Sequence, residues 1–464
     1  MKRWTFATVV VALLVSGFLL TVPRTSVAGS DPSERQAAYQ WFDTLGYPDL
    51  KTLPFVRVTE GESRATNDGG HIPVVVDAWL ISDSGERFTV IHGDLSTGTH
   101  VRENEPEPHI DFVRANLKGY AAIWIAEQQK LEKTTNSYQF YGESLSKRGR
   151  AFVLSRACAA AGYDADAVLL YDYAASQPIL DFGEQTPANF REALSQDIAD
   201  VTIKRADLDL VEPQISREQL LATYRSFIKN FPKSWQIEYA KETAALLEKM
   251  VAEDRDQAKK GPKDPARLAV PEKVKLLIFQ LRDQNGSQMS NPGSCDFFND
   301  PRGEASPASQ LVKIGLDAVP QLIDAMDDPR FTRSKDVWKG VLRVGDAALA
   351  IIERIAGRRF YQPNDGNAHV EKDVRVAAVK NEVKAWWAQV SVKGLRKVII
   401  ESVERGDDDS ASGAEYLVEK YPEDAVDAIR KGLDHAKSSE VRAGLITAMI
   451  PLHGDAANVV VRAS

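Results

Sequence analysis

The chain has 464 residues, 43% of them hydrophobic and 27% charged, with a formal net charge of −8. That length exceeds what a single core serves, and the composition excludes a disordered or wholly membrane-embedded chain. The acidic balance excludes a general nucleic-acid binder, because phosphate binding needs a concentrated basic surface.

Met1-Lys2-Arg3 followed by the apolar run Thr8 to Leu20 reads as a signal peptide, residues 1–28, with Ser26-Val27-Ala28 offering small residues to a signal peptidase. Cleavage near Ala28 predicts an exported protein, periplasmic or extracellular, with no stable membrane insertion afterwards. The apolar core of about 13 residues is shorter than the ~20 of a spanning helix, so an uncleaved N-terminal anchor is the alternative. Export permits disulfides, but only Cys158 and Cys295 are present. They read as two separate small buried residues, with a bridge between them as the other possibility.

A helix is predicted from Pro32 to Leu45, with Ser33 and Gln36 imitating a capping box. Strands follow at Phe55–Val58, Ile72–Ile81 and Arg87–His92, with a fourth at Asp94–Arg102. Asn67 to Gly70 reads as a loop or hairpin turn, and Asp83-Ser84-Gly85 as a turn. From Asp111 to about Lys133 the pattern turns helical, with Val113, Leu117, Tyr120 and Trp124 on one side, able to cover the sheet. Residues 29–135 therefore read as a small α+β domain with an antiparallel sheet.

Residues 136–260 read as helical throughout, with pairs at Leu145–Ala161 and Asp164–Ser176, a helix at Pro187–Ile203, and a pair spanning 216–253. The last pair contains TYRSFIKNFPKSWQIEYAKETAALLEKM, whose aromatic and alanine spacing resembles a tetratricopeptide-like helical hairpin. Where that family would begin a tandem copy, Lys259-Lys260-Gly261-Pro262-Lys263 reads as a linker. Residues 261–306 read as linker and long polar loop, in which a helix, VKLLIFQLRD, runs into QNGSQMSNPGSCDFFNDPRG, a length that is often functional. The simpler reading is a connector packed by Phe297 and Phe298.

From 307 to 464 short helices recur. Asp317 caps one with Pro320 in its first turn, and Leu316, Val319, Leu322, Ile323 and Met326 form its apolar stripe. Another opens at Asp346 and ends at Gly357; later ones carry Leu395–Val403, Ala414–Val418, Val426–Leu433 and Val441–Met449. Such stripes need neighbours, and stacked neighbours make a solenoid. The paired helices, the early Pro320, the Asp327-Asp328 turn and SSEVRAGLITAM, where Val441-Arg442 opens the second helix, resemble HEAT repeats. Arg330–Arg343 and Arg358–Asp373 read as insertions, and Gly454-Asp455 opens a further helix. With the signal peptide, FQLRDQNGSQMSNPGSC and LVKIGLDAVPQLIDAMDD are similar to exported HEAT-repeat proteins of the planctomycete type. That resemblance implies a compartment and a mainly α fold, and it supplies no activity.

Standard catalytic motifs are absent: there is no G-x-S-x-G, H-E-x-x-H, C-x-x-C or G-x-G-x-x-G. Asp407 and Asp409 begin like a calcium loop, but Val418 stands where the bidentate glutamate belongs. Four of the seven histidines, His71, His92, His100 and His109, fall in the β region. His92 and Asp94, two apart on a strand, would share a face and could share a metal, with His71 or His100 brought near by strand ends. The simpler reading is turn and surface residues. Cys295 in the polar loop would need a histidine base to act as a nucleophile, and none is near in sequence.

Trp386 and Trp387 are adjacent on a helix, so one should be core and the other partly exposed. With Arg396 and Arg442 they are the residues expected to meet a partner. The expected function is a non-catalytic interaction or scaffold module whose partner is another protein, without nucleic acid or cofactor. The alternatives are a metal-dependent hydrolase around His92 and Asp94, or a cell-envelope carbohydrate binder using exposed tryptophans.

Overall fold

The computed structural model describes residues 31–65, 71–102, 110–134, 145–179, 187–261, 265–288, 295–336, 340–360 and 372–452. The predicted signal peptide, the Asn67–Gly70 turn, His109 and the helix expected after Gly454 lie outside them. The described residues are mainly helical, with a small antiparallel sheet toward the N-terminus. No helix among them is long and apolar enough to cross a membrane. The chain divides into two compact units, 1–201 and 202–464.

The first unit opens with α1 (Pro32–Asp43), capped by Asp31, whose carboxylate accepts from the Ser33 N–H at 2.8 Å. The sheet is built from β1 (Phe55–Ala65), β2 (His71–Asp83), β3 (Arg87–His92), β4 (Thr97–Val101) and β5 (Asp111–Arg114) in the order β4-β3-β2-β1-β5. β5 corrects the sequence reading, which placed Asp111–Arg114 in a helix. Val113, Leu117, Tyr120 and Trp124 keep helical spacing by chance, because Gly119 at φ +76° separates a strand from α2 (Tyr120–Thr134).

Alternation gives the sheet two apolar faces. Val56, Val58, Ala78, Leu80, Phe88 and Val90 form a core on one side. On the same side the rings of Phe88 (β3) and Phe112 (β5) lie 5.0 Å apart. In a flat sheet those strands, three spacings apart, would be separated by about 14 Å. The sheet is therefore strongly curled, and Arg102 spans the curl, bonding Asp83 at 2.7 Å and Asp111 at 3.0 Å with Phe88 and Phe112 under its guanidinium. The other side carries Phe55, Arg57, Asp77 and Trp79 and is covered by α2, whose Tyr120 ring meets Phe55 at 5.2 Å. α3 (Lys147–Ala160) and α4 (Asp164–Ser176) form a hairpin, α4 packs on α2, and α5 (Phe190–Asp209) follows, crossing the division between the units. Cys158 in α3 is a free buried thiol, pushed up to about 12 by burial.

In the second unit α6 (Arg217–Asn230) and α7 (Ile237–Lys260) make a hairpin opened by a Ser216–Gln219 capping box. α8 (Val270–Gln280), a two-residue ladder of β6 (Ser287–Gln288) and β7 (Cys295–Asp296), α9 (Pro307–Ile314) and α10 (Val319–Ala325) follow. The predicted insertion at 330–343 is a β-hairpin, β8 (Phe331–Asp336) and β9 (Gly340–Arg343), leading into α11 (Val344–Ala356) and α12 (Lys372–Lys393). Val274, Leu311, Leu322, Ile351, Val383 and Trp386 share one core.

The last four helices are α13 (Leu395–Arg405), α14 (Ser410–Lys420), α15 (Pro422–His435) and α16 (Ser439–Ala448). α13 packs on α14 and α15, α14 on α16, and α15 on α16. Hairpin thus lies beside hairpin around a second core of Ile399, Val403, Leu417, Ile429, Leu433 and Leu445. Gly432 lets α15 approach α13: a Cβ there would sit 2.4 Å from the Val403 carbonyl oxygen.

Candidate functional site

The β region offered four candidate metal ligands, His71, His92, Asp94 and His100, as the alternative to turn and surface residues. His92 ends β3, and its chain then turns back, with the Leu95 N–H donating to the His92 carbonyl at 2.7 Å and Leu95 at φ +71°. The strand alternation that would have kept Asp94 beside His92 is lost in that turn. The Asp94 carboxylate instead accepts from the Ser96 N–H at 2.8 Å and the Ser96 hydroxyl at 2.6 Å. His71 pairs with Ala65 at the far end of β2, seven residues from Ala78, the partner of His92. At strand rise that is about 23 Å. His100 does converge: its Nε2 lies 3.2 Å from that of His92, its ring stacks on Phe88 at 5.0 Å, and burial pulls its pKa down. Among the described residues no group of three or more His, Cys, Asp or Glu is placed to hold a metal.

On the opposite face of the sheet a polar cluster went unnoticed in the sequence. Tyr120 donates to Asp77 at 2.6 Å, and Arg57 holds Glu127 through two bonds of 2.8 and 3.2 Å and approaches Asp77 at 3.7 Å. Burial raises the Asp77 pKa against the lowering effects of Tyr120 and Arg57. This cluster fastens α2 to the sheet.

The polar loop after α8 is bound into its own framework. Arg282, 1% exposed, reaches Asp254 at 2.6 Å and Glu253 at 3.2 Å with its guanidinium 3.6 Å from the Phe279 ring centre. Buried Gln284 donates to the Phe297 carbonyl at 2.7 Å and to Asp300 at 2.9 Å, and accepts from the Ala308 N–H at 3.0 Å. Arg333 of β8 donates to the carbonyls of Leu210, Glu212 and Ile215 at 2.8 to 3.1 Å. These polar groups tie loop, hairpin and helix ends together. Cys295 contributes its backbone to β7, and its side chain lies outside the described set.

The partner-facing candidates are placed differently from one another. Trp386 is 4% exposed and packs edge-on to Phe360, while Trp387 is half-buried against the same core. One indole is core and its neighbour partly exposed, as adjacency on a helix requires. Trp386 also borders a cavity of about 140 Å³ with Arg358, Ser402, Arg405 and Gly413. Arg442 donates to the Ala436 carbonyl at 3.1 Å, closing the turn between α15 and α16. Arg396 alone of the four lines an open groove, of about 720 Å³, with Leu316, Lys393, Leu395, Lys397, Ile400 and Tyr421. Its guanidinium sits 5.2 Å from the Tyr421 ring and is held by Glu423 at 2.8 Å and Asp424 at 2.5 Å. Leu316, Leu395 and Ile400 give the groove its apolar lining, and Lys393 is paired like Arg396, with Glu401 at 2.6 Å.

Comparison with protein-family models, curated proteins and solved structures finds no match for this chain.

Proposed function

We propose that the protein is an exported, non-catalytic interaction or scaffold module whose C-terminal helices form a HEAT-like solenoid and whose partner is another protein. The observation that carries this reading is the groove at the start of α13. Leu395 and Ile400 offer an apolar seat, and the paired cations Lys393 and Arg396, with Lys397 beside them, offer a polar rim of both signs to the partner. Support for the repeat architecture comes from the side-by-side hairpins α13–α14 and α15–α16, from buried Val441, and from Arg442 bridging to the preceding helix end. The α6–α7 hairpin supports a tetratricopeptide-like element before it.

A metal-dependent hydrolase is less favoured, because Asp94 is taken by Ser96 and His71 stands at the far end of its strand. The carbohydrate reading moves to Trp235, 52% exposed in the turn before α7, with Tyr239 in the first turn of that helix. The test is capture of partners from envelope extract by the immobilised protein and by Arg396→Gln/Lys397→Glu, with Glu248→Lys on α7 as control. A partner held by the wild type and the control but lost with the groove variant is the expected result. Equal capture by all three contradicts it.

A further inference from the structure

The two imidazoles that meet between β3 and β4 have no part in the binding reading above. We propose that His92 and His100 form a two-nitrogen site for a divalent transition-metal ion, with Cu²⁺ held most tightly and water completing the coordination. The geometry begins with the 3.2 Å between the two Nε2 atoms. At metal–nitrogen bonds of about 2.0–2.1 Å, nitrogens so spaced subtend an angle of roughly 100° at the ion. That suits adjacent positions of a tetrahedral or tetragonal site.

A second, independent feature is Gly98, opposite Val90 in the β3–β4 ladder. A Cβ at this position would lie 2.7 Å from Nε2 of His92 and 3.0 Å from Nε2 of His100. Glycine is therefore what leaves space in front of both nitrogens at once. A third feature is rigidity. His100 stacks on Phe88 with 26° between the planes, and His92 stands edge-on to His100 at 86°. Ligands carried by paired strands and held by packing are set before the ion arrives.

In the metal-free pair one Nε2 carries the hydrogen between the rings. Binding needs that ring in its other tautomer, with the hydrogen on Nδ1, so that both Nε2 atoms offer lone pairs. No net proton is released from two neutral rings. Imidazole donors without a carboxylate select copper, nickel and zinc over calcium and magnesium, and the stability order of such ions puts Cu²⁺ first. Asp94 is already bonded to Ser96, which makes this a two-residue site open to exchange.

The experiment is titration of the purified, metal-stripped protein with Cu²⁺, followed by calorimetry and by electron paramagnetic resonance. The expected result is one ion bound with a two-nitrogen signature, weakened at least tenfold in His92→Gln, in His100→Gln and in Gly98→Ala. Ni²⁺ and Zn²⁺ should bind more weakly at the same place. Melting curves guard against misfolding: Cu²⁺ should raise the wild-type midpoint and leave that of folded His100→Gln unmoved. Absence of binding by the wild type overturns the proposal, and so does binding in both histidine variants as strong as in the wild type.

Discussion

At the scale of single residues, Asp77 shows how burial sets chemistry. Its carboxyl pKa is raised by burial, with the Tyr120 hydroxyl and Arg57 acting in the opposite direction. A carboxyl whose folded pKa lies above its unfolded value binds more protons when folded. Its stabilising effect is complete below the unfolded pKa of about 3.9 and is lost as pH rises through the folded value. Asp77→Asn removes this titration, so the stability of the wild type relative to the variant should fall between pH 4 and pH 7. Urea unfolding at both values checks this, and a wild type that gains on the variant as pH rises contradicts it. The histidine site was half legible at this scale. The sequence displays four histidines in the β region, but which of them meet depends on strand register and on the turn at Leu95. Residue types alone carry neither.

Among elements, the close approach of α13 and α15 is the most exposed to test. Gly→Ala inside a helix gains up to about 1 kcal/mol from propensity alone. At Gly432 the new Cβ would meet the Val403 carbonyl oxygen at 2.4 Å, and that is backbone, which cannot move aside without shifting a helix. Overpacking of this kind costs about 1–3 kcal/mol, so the contact outweighs the propensity. Gly432→Ala should lower stability by roughly 1–2 kcal/mol in denaturant unfolding; a more stable variant would mean the helices do not meet as described. Helical stretches such as α6, α7, α13 and α15 were readable because amphipathic period, caps and prolines agree along them. The β8–β9 hairpin was not, because Phe331 to Asp336 buries polar side chains on both faces, Thr332, Arg333 and Ser334 among them. Its stability comes from partners distant in sequence, such as the Leu210 carbonyl that receives Arg333. β5 was misread for a related reason. Four residues have no period of their own, and only pairing with β1 identifies them as a strand.

For the whole molecule, the two units divide the proposed roles, with metal binding placed in the curled sheet of the first and partner binding in the helices of the second. Helical periodicity foretold a mainly α chain. The groove was less visible, since Leu316, Lys393, Arg396, Ile400 and Tyr421 come together only once α13 and α15 pack. Arg396 was named among the residues expected to meet a partner, whereas nothing in the sequence pointed to Tyr421, whose ring lies 5.2 Å from its guanidinium. The central claim is that this groove receives another protein. The most direct measurement replaces Ile400 with photoreactive benzoylphenylalanine, irradiates cells making the protein, and compares the adducts with those from the same group at Glu248 on α7. One discrete protein adduct is expected from position 400 that position 248 does not give. No adduct at 400, or the same adducts from both positions, would contradict it.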